Sequence, residues 1–99
     1  MIIHQRDVKY GEDYPSFFET LAKAKAYLQQ KNPEVSVDLM YNLAGKRGWA
    51  TIQTRYPSLA DYERIDADMD KDENYSKLLK SIIEASGDRP TDQFYRVIE

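Results

Sequence analysis

His4 is the only histidine in 99 residues, and Arg6 lies two positions beyond it, the spacing that puts two side chains on one face of a strand. An imidazole titrates near neutrality, which makes His4 the natural proton acceptor if the chain does chemistry. Arg6, or Arg55 further on, is suited to binding a carboxylate or stabilising an enolate, while Trp49 and Tyr95 are suited to stacking on a ring. A second cluster comes from the alternation of Trp49, Thr51, Gln53 and Arg55 with Ala50, Ile52, Thr54 and Tyr56. The latter set is apolar enough to bury. The former carries an indole, an amide and a guanidinium, a mixture for a half-wet cavity or a partner surface. Each residue also has a plainer role: His4 as a hydrogen-bonded sheet or interface residue, Arg55 as half of an ion pair with Asp38, and Trp49 as an interface anchor.

For these groups to meet, one sheet must hold them. Ile2 to Lys9 reads as a first strand, followed by a loop of Tyr10, Gly11, Glu12 and Asp13. Period two divides the strand into Ile2, His4, Arg6, Val8 and Ile3, Gln5, Asp7, Lys9, and does not choose between the sets, because both carry charge at mid-strand. A helix follows: Pro15 suits a first turn, Ser16 and Glu19 have capping-box spacing, and Phe17, Leu21, Ala24 and Leu28 recur at helical intervals until Pro33. Val35, Val37, Leu39, Tyr41 and Leu43 alternate as a second strand.

Gly45 to Gly48 form a turn centred on Lys46 and Arg47, which sets the register with the third strand, Trp49 to Tyr56. That register pairs Leu43 with Ala50, Tyr41 with Ile52 and Leu39 with Thr54 on one face, and Asn42 with Thr51, Met40 with Gln53 and Asp38 with Arg55 on the other. A directly facing Asp38–Arg55 pair favours it by roughly 0.2 to 1 kcal/mol. Ser58 with Asp61 opens a second helix with the stripe Leu59, Tyr62, Ile65 and Met69. Asp66, Asp68, Asp70, Asp72 and Glu73 oppose its dipole, which predicts fraying or a break before a third short helix. That helix carries Tyr75, Leu78, Leu79, Ile82 and Ile83, and Gly87 ends it. Gln93 to Glu99 is the fourth strand, with Phe94 and Ile98 on one face and Tyr95 and Val97 on the other.

This order predicts one α+β domain over residues 1–99, a ferredoxin-like plait with a four-stranded antiparallel sheet and its helices on one face. The uncovered face would hold Asp38, Met40, Asn42, Trp49, Thr51, Gln53 and Arg55. Seventeen acidic against fourteen basic residues, a net charge of −3, disfavour nucleic acid and anionic membranes as partners. The absence of cysteine excludes disulfides and thiolate chemistry, and with no Gly-rich phosphate loop or metal signature no cofactor and no metal is expected. Asp66, Asp68 and Asp70 mimic a calcium loop, but Lys71 takes the glycine position and Lys77 the bidentate glutamate position. The N-terminal apolar run is too short for a signal peptide, so a soluble cytoplasmic protein is expected.

The opening Met1-Ile2-Ile3-His4-Gln5-Arg6, Gly11, the run Ser58-Leu59-Ala60-Asp61-Tyr62-Glu63, the segment Asp72-Glu73-Asn74-Tyr75 and the ending Phe94-Tyr95-Arg96-Val97-Ile98 resemble the dimeric α/β-barrel superfamily. The nearest branches are the NIPSNAP-type and antibiotic-biosynthesis-monooxygenase-type domains. The resemblance implies two sheets packed face to face as a homodimer around a small, often aromatic ligand. It also implies that His4 and Arg6 point into the barrel, at the Glu and Arg positions of the NIPSNAP-type first strand, where His4 is a departure. Trp49 and Asn42 are similar to the pocket tryptophan and asparagine of monooxygenase members, whose first-strand asparagine has no counterpart here. The helix-borne histidine of haem-degrading members is also missing.

The RNA-recognition motif shares the topology, and Arg47-Gly48-Trp49-Ala50 echoes its third-strand signature, but Thr51 and Thr54 stand where stacking aromatics are needed. The reading is therefore a dimeric α/β barrel that binds a small hydrophobic or aromatic metabolite. His4 is the candidate base of a cofactor-independent monooxygenase or isomerase, and Arg6, Asp38, Met40, Asn42, Trp49, Gln53, Arg55 and Tyr95 line the barrel. The alternative is a non-catalytic dimeric binding or scaffold module. A cavity on the order of 300 Å³ or more beside His4 separates the two.

Overall fold

β1 (Ile2–Lys9) is the strand whose facing decides everything else, and its ends decide it. Val8 is fully buried and Ile2 nearly so. With period two, His4 and Arg6 must then lie on the same, helix-covered side, and Ile3, Gln5, Asp7 and Lys9 on the other. In this computed structural model, which describes residues 1–45, 47–86 and 89–98, the order is β1, α1 (Tyr14–Lys31), β2 (Ser36–Tyr41), β3 (Trp49–Tyr56), α2 (Leu59–Asp70), α3 (Glu73–Ala85) and β4 (Thr91–Arg96). The sheet runs β2-β3-β1-β4, antiparallel throughout, which is the expected plait.

The helices form where apolar stripes recur. Phe17, Leu21, Ala24 and Leu28 are the buried residues of α1. Its N-cap is Asp13, so Ser16 lies inside the helix, where its carbonyl accepts from the Thr20 hydroxyl, and the expected Ser16 and Glu19 capping box is not formed. The Ser58 cap is as expected: its Oγ accepts from the Asp61 N–H at 3.1 Å. The acidic end of α2 breaks at Lys71, and Asp72 then caps α3 by accepting from the Tyr75 N–H. A carboxylate that opposes one helix's dipole thus favours the next one's. Within the stripes Ile65, Met69 and Ile82 are buried, whereas Leu59 and Ile83 are exposed at the outer ends of their helices.

Two expectations need correcting. The β2–β3 register pairs Val37 with Thr54, Leu39 with Ile52 and Tyr41 with Ala50, two residues from the expected alignment. The last hydrogen bond is Asn42 N–H to the Trp49 carbonyl, and Gly45 and Gly48 both have positive φ, so the connection is longer than a two-residue turn. A two-residue slip keeps every side chain on its face. Arg55 still reaches Asp38, now diagonally, since Asp38 faces Gln53. β4 begins two residues earlier than expected, at Thr91, and ends at Arg96, which leaves Ile98 97% exposed beyond the strand. The turn centre at Lys46, the helix terminator Gly87 and the chain end Glu99 lie outside the described residues.

Candidate functional site

On the helix side of the sheet, strand pairing sets Arg6 opposite Asp92 and His4 opposite Phe94, the two partners lying exposed on the edge strand β4. The Asp92 carboxylate accepts from both: Arg6 Nε to Oδ1 at 2.6 Å, Arg6 Nη2 to Oδ2 at 3.1 Å, and His4 Nε2 to Oδ1 at 2.8 Å. The Arg6 contact is a two-pronged fork on one carboxylate, the geometry that locks both planes. The His4 ring stacks on Phe94 with centroids 4.6 Å apart and planes 11° apart, and Tyr62 meets the edge of Phe94 at 5.3 Å. Burial pushes the Asp92 carboxyl up, but the hydrogen bonds from Arg6 and His4 outweigh it and hold the group below its ordinary range, so it is ionised at neutral pH. The Asp92 hydrogen bond likewise raises Arg6 above its ordinary value, against a burial that opposes it.

His4 and Arg6 form one wall of a cavity of about 140 Å³ between the sheet and the helices. Most of its lining is apolar, with Leu21, Leu28, Ile52, Ile65 and Met69 among the side chains, and Thr54, Tyr56, Tyr75, Asp66 and Lys25 add polar or charged atoms. Burial raises the phenols of Tyr56 and Tyr75 above their ordinary range, so both remain neutral donors well into the alkaline region. The arrangement offers a ring-sized apolar space with an oriented imidazole and a guanidinium whose charge is already answered by Asp92.

The orientation of His4 and Arg6 into a barrel is therefore corrected: they lie on the helix side. The uncovered face holds the other expected residues, Asp38, Met40, Asn42, Trp49, Gln53, Arg55 and Tyr95, together with Gln5 and Asp7. They form a network of their own. Thr51 Oγ1 donates to Asp7 at 2.5 Å, Gln53 Nε2 to Gln5 at 3.3 Å, Arg55 Nη2 to Gln53 Oε1 at 2.5 Å, Arg55 Nη1 to Asp38, and the Tyr95 hydroxyl to Gln93 at 2.6 Å. Trp49 is only 9% exposed at the β3 end. This face holds no described cavity beside His4; the space beside His4 is on the opposite side of the sheet. Sequence reasoning missed Asp92, Tyr56 and Tyr75 as site residues. Asp92 had been placed before the strand, and the signal for it was a lone carboxylate within reach of two cationic candidates once β4 is extended to Thr91.

No protein-family model matches the sequence, and no curated protein matches it. Solved structures match along its whole length. An antibiotic biosynthesis monooxygenase covers 100% of both chains with a TM-score of 0.79 at 13% identity. An uncharacterized NIPSNAP domain protein from Burkholderia xenovorans covers 99% of this chain and 95% of its own, TM-score 0.80, 9% identity. A NIPSNAP family protein from Agrobacterium tumefaciens covers 99% and 93%, TM-score 0.79, 10% identity. At such identities the likeness is one of fold, and the fold is the one these two groups share. No helix of the described residues is long and apolar enough to cross a membrane.

Proposed function

We propose that this protein binds an uncharged, single-ring hydrophobic molecule in the cavity between sheet and helices, where His4 serves as the base of a cofactor-independent proton transfer. One observation carries the reading: a 140 Å³ apolar cavity with a fixed imidazole on its wall. An apolar cavity of about 150 Å³ accommodates benzene. At about 140 Å³ the cavity falls short of the roughly 300 Å³ that separates an enzyme from a non-catalytic binding module, which counts toward the latter and restricts any ligand to one ring, excluding fused polycycles without opening of the helices. Because Asp92 answers the charge of Arg6, a neutral hydroxylated ring suits the wall better than a carboxylate. Proton removal from such a ligand generates an enolate or phenolate, and return of the proton at another carbon is isomerisation. Capture of dioxygen at a carbon that bears hydrogen instead gives a hydroperoxide that loses water to leave a carbonyl, one oxygen atom entering the ligand and the ligand itself supplying the electrons. The fold shared with antibiotic biosynthesis monooxygenase structures is compatible with either.

Titration with phenol and with benzoate, followed by amide NMR shifts, tests this. Phenol is expected to shift Ile65, Met69 and Tyr75 with a Kd on the order of 1 mM or tighter, and benzoate to bind at least about tenfold more weakly. Absence of shifts with phenol at tens of millimolar would remove the reading.

The uncovered sheet face supports a second copy as its occupant. Several of its polar groups pair with one another, Met40 and Tyr95 project from it, and a domain this small gains by covering a sheet face. Sedimentation equilibrium across a hundredfold dilution is expected to give twice the 11.6 kDa chain mass, and Met40→Glu to shift the population toward monomer. A wild-type monomer throughout would refute the dimer and leave the cavity, which lies within one chain, unaffected.

A further inference from the structure

We propose that Asp92 is the positioning residue of a histidine–carboxylate pair: it holds His4 as the Nε2–H tautomer and leaves Nδ1 as the nitrogen that meets a molecule in the cavity. This rests on the cavity being the ligand site. An ionised carboxylate only accepts hydrogen bonds, so a 2.8 Å contact from Asp92 Oδ1 requires the proton to sit on Nε2. Three further contacts fix the pair. Arg6 grips the same carboxylate through both oxygens, Phe94 stacks on the imidazole, and Tyr62 backs Phe94. A 180° flip of the ring would put Cε1 in the place of Nε2 and cost this hydrogen bond. Nδ1 has no hydrogen-bond partner among the described residues.

The chemical consequence is an acceptor of defined position. A proton leaving a ligand hydroxyl, or a carbon beside a carbonyl, passes to Nδ1, and its electron pair stays on the ligand as phenolate or enolate. The imidazolium formed faces the Asp92 carboxylate, which stabilises it without taking the proton. The competing role for Asp92 is mechanical: pinning the edge strand β4 to β1 through Arg6. The two roles predict different chemistry at one ring, and the chain has a single histidine on which to read it.

The test is alkylation of the ligand-free protein with iodoacetamide near pH 8, above the ordinary imidazole range of about 6.5, with the modified nitrogen assigned by NMR of the isolated peptide. Wild type is expected to react at Nδ1 over Nε2 by at least about tenfold. Asp92→Ala should bring the ratio to that of a histidine-containing peptide. Arg6→Met removes the clamp on β4 and keeps the His4 contact, so Nδ1 selectivity should persist. Attack at Nε2 in wild type, an unreactive ring, or unchanged selectivity in Asp92→Ala would overturn the proposal. Should that variant not fold, the wild-type regiochemistry and Arg6→Met still decide. Because the reagent reads His4 with the cavity empty, a failure of phenol to bind defeats the ligand reading without altering this result.

Discussion

Raised above about pH 10, the protein is expected to unfold cooperatively, with the ionisation of Tyr56 as the main cause. A free tyrosine titrates near 10. In the folded chain burial lifts the Tyr56 phenol well above that, and burial lifts Tyr75 and Tyr62 in the same direction. Between the unfolded and folded values the unfolded chain has released its proton and the native one has not. The native state therefore binds more protons, and stability falls as pH rises through this window. Below pH 10 the term is fully on the side of folding. The slope is at most about 1.4 kcal/mol per pH unit for each such tyrosine. Tyr56, almost wholly buried, should reach that limit. Tyr62 and Tyr75 are half-buried and contribute less. Two pH units then remove up to about 3 kcal/mol through Tyr56, a large share of the 5 to 15 kcal/mol typical of a domain. Tyrosinate absorbance followed together with far-ultraviolet circular dichroism should show a group of phenols that ionise only as helix is lost. Tyr56→Phe should move the alkaline midpoint upward. A midpoint unchanged by that substitution would show that the buried phenol does not set the limit.

The acid side has the opposite sign. Asp92 is held below its ordinary range, so the stability from its clamp on Arg6 and His4 is present above about pH 4 and fades as pH falls through the lower, folded value.

How much of this was legible in the residues depends on which physical signal carried it. β3 was read to the residue, because Trp49 to Tyr56 alternates without interruption and Gly48 marks its start. The α1 stripe was read because Phe17, Leu21, Ala24 and Leu28 have no competing period. The register slipped because Gly45 and Gly48 are compatible with several turn lengths, and a slip of two leaves both faces unchanged, so patterning has nothing to reject. Period two left the facing of His4 and Arg6 open, because both sets of the first strand carry charge at mid-strand, and only the resemblance placed the pair in the barrel. The flanking Ile2 and Val8 anchor that set on the helix side. Burial of Arg6 becomes tolerable only through Asp92, 86 positions away and on a strand whose start was misplaced. Pair contacts of that separation leave no periodic trace in the chain.

The size limit of the cavity yields the other large effect. Ile65→Ala is expected to destabilise the protein by about 2–5 kcal/mol and to widen its ligand range at once. Ile65 is 1% exposed and packs among Ile2, Leu28, Val37, Tyr56 and Met69, so truncation removes both transfer energy and contacts. One side of Ile65 already faces the 140 Å³ space, where packing is incomplete, which places the cost toward the lower end of that range. For a chain of this length even about 2 kcal/mol lowers Tm by roughly 8 to 16 °C. The space released adds to the existing cavity and lies beside His4. A two-ring hydroxylated probe such as 2-naphthol should therefore bind the variant and leave wild type untouched. At a hundred times its Kd such a ligand returns about 2.7 kcal/mol, enough to restore most of the lost Tm. Thermal melts of both proteins with phenol and with 2-naphthol give four numbers that decide the matter. If 2-naphthol stabilised wild type as strongly as Ile65→Ala, the helices would open readily and cavity volume would not set ligand size. If it stabilised neither, the truncated site would have collapsed, and the apolar wall built by α2 would be scaffold and not part of the binding surface.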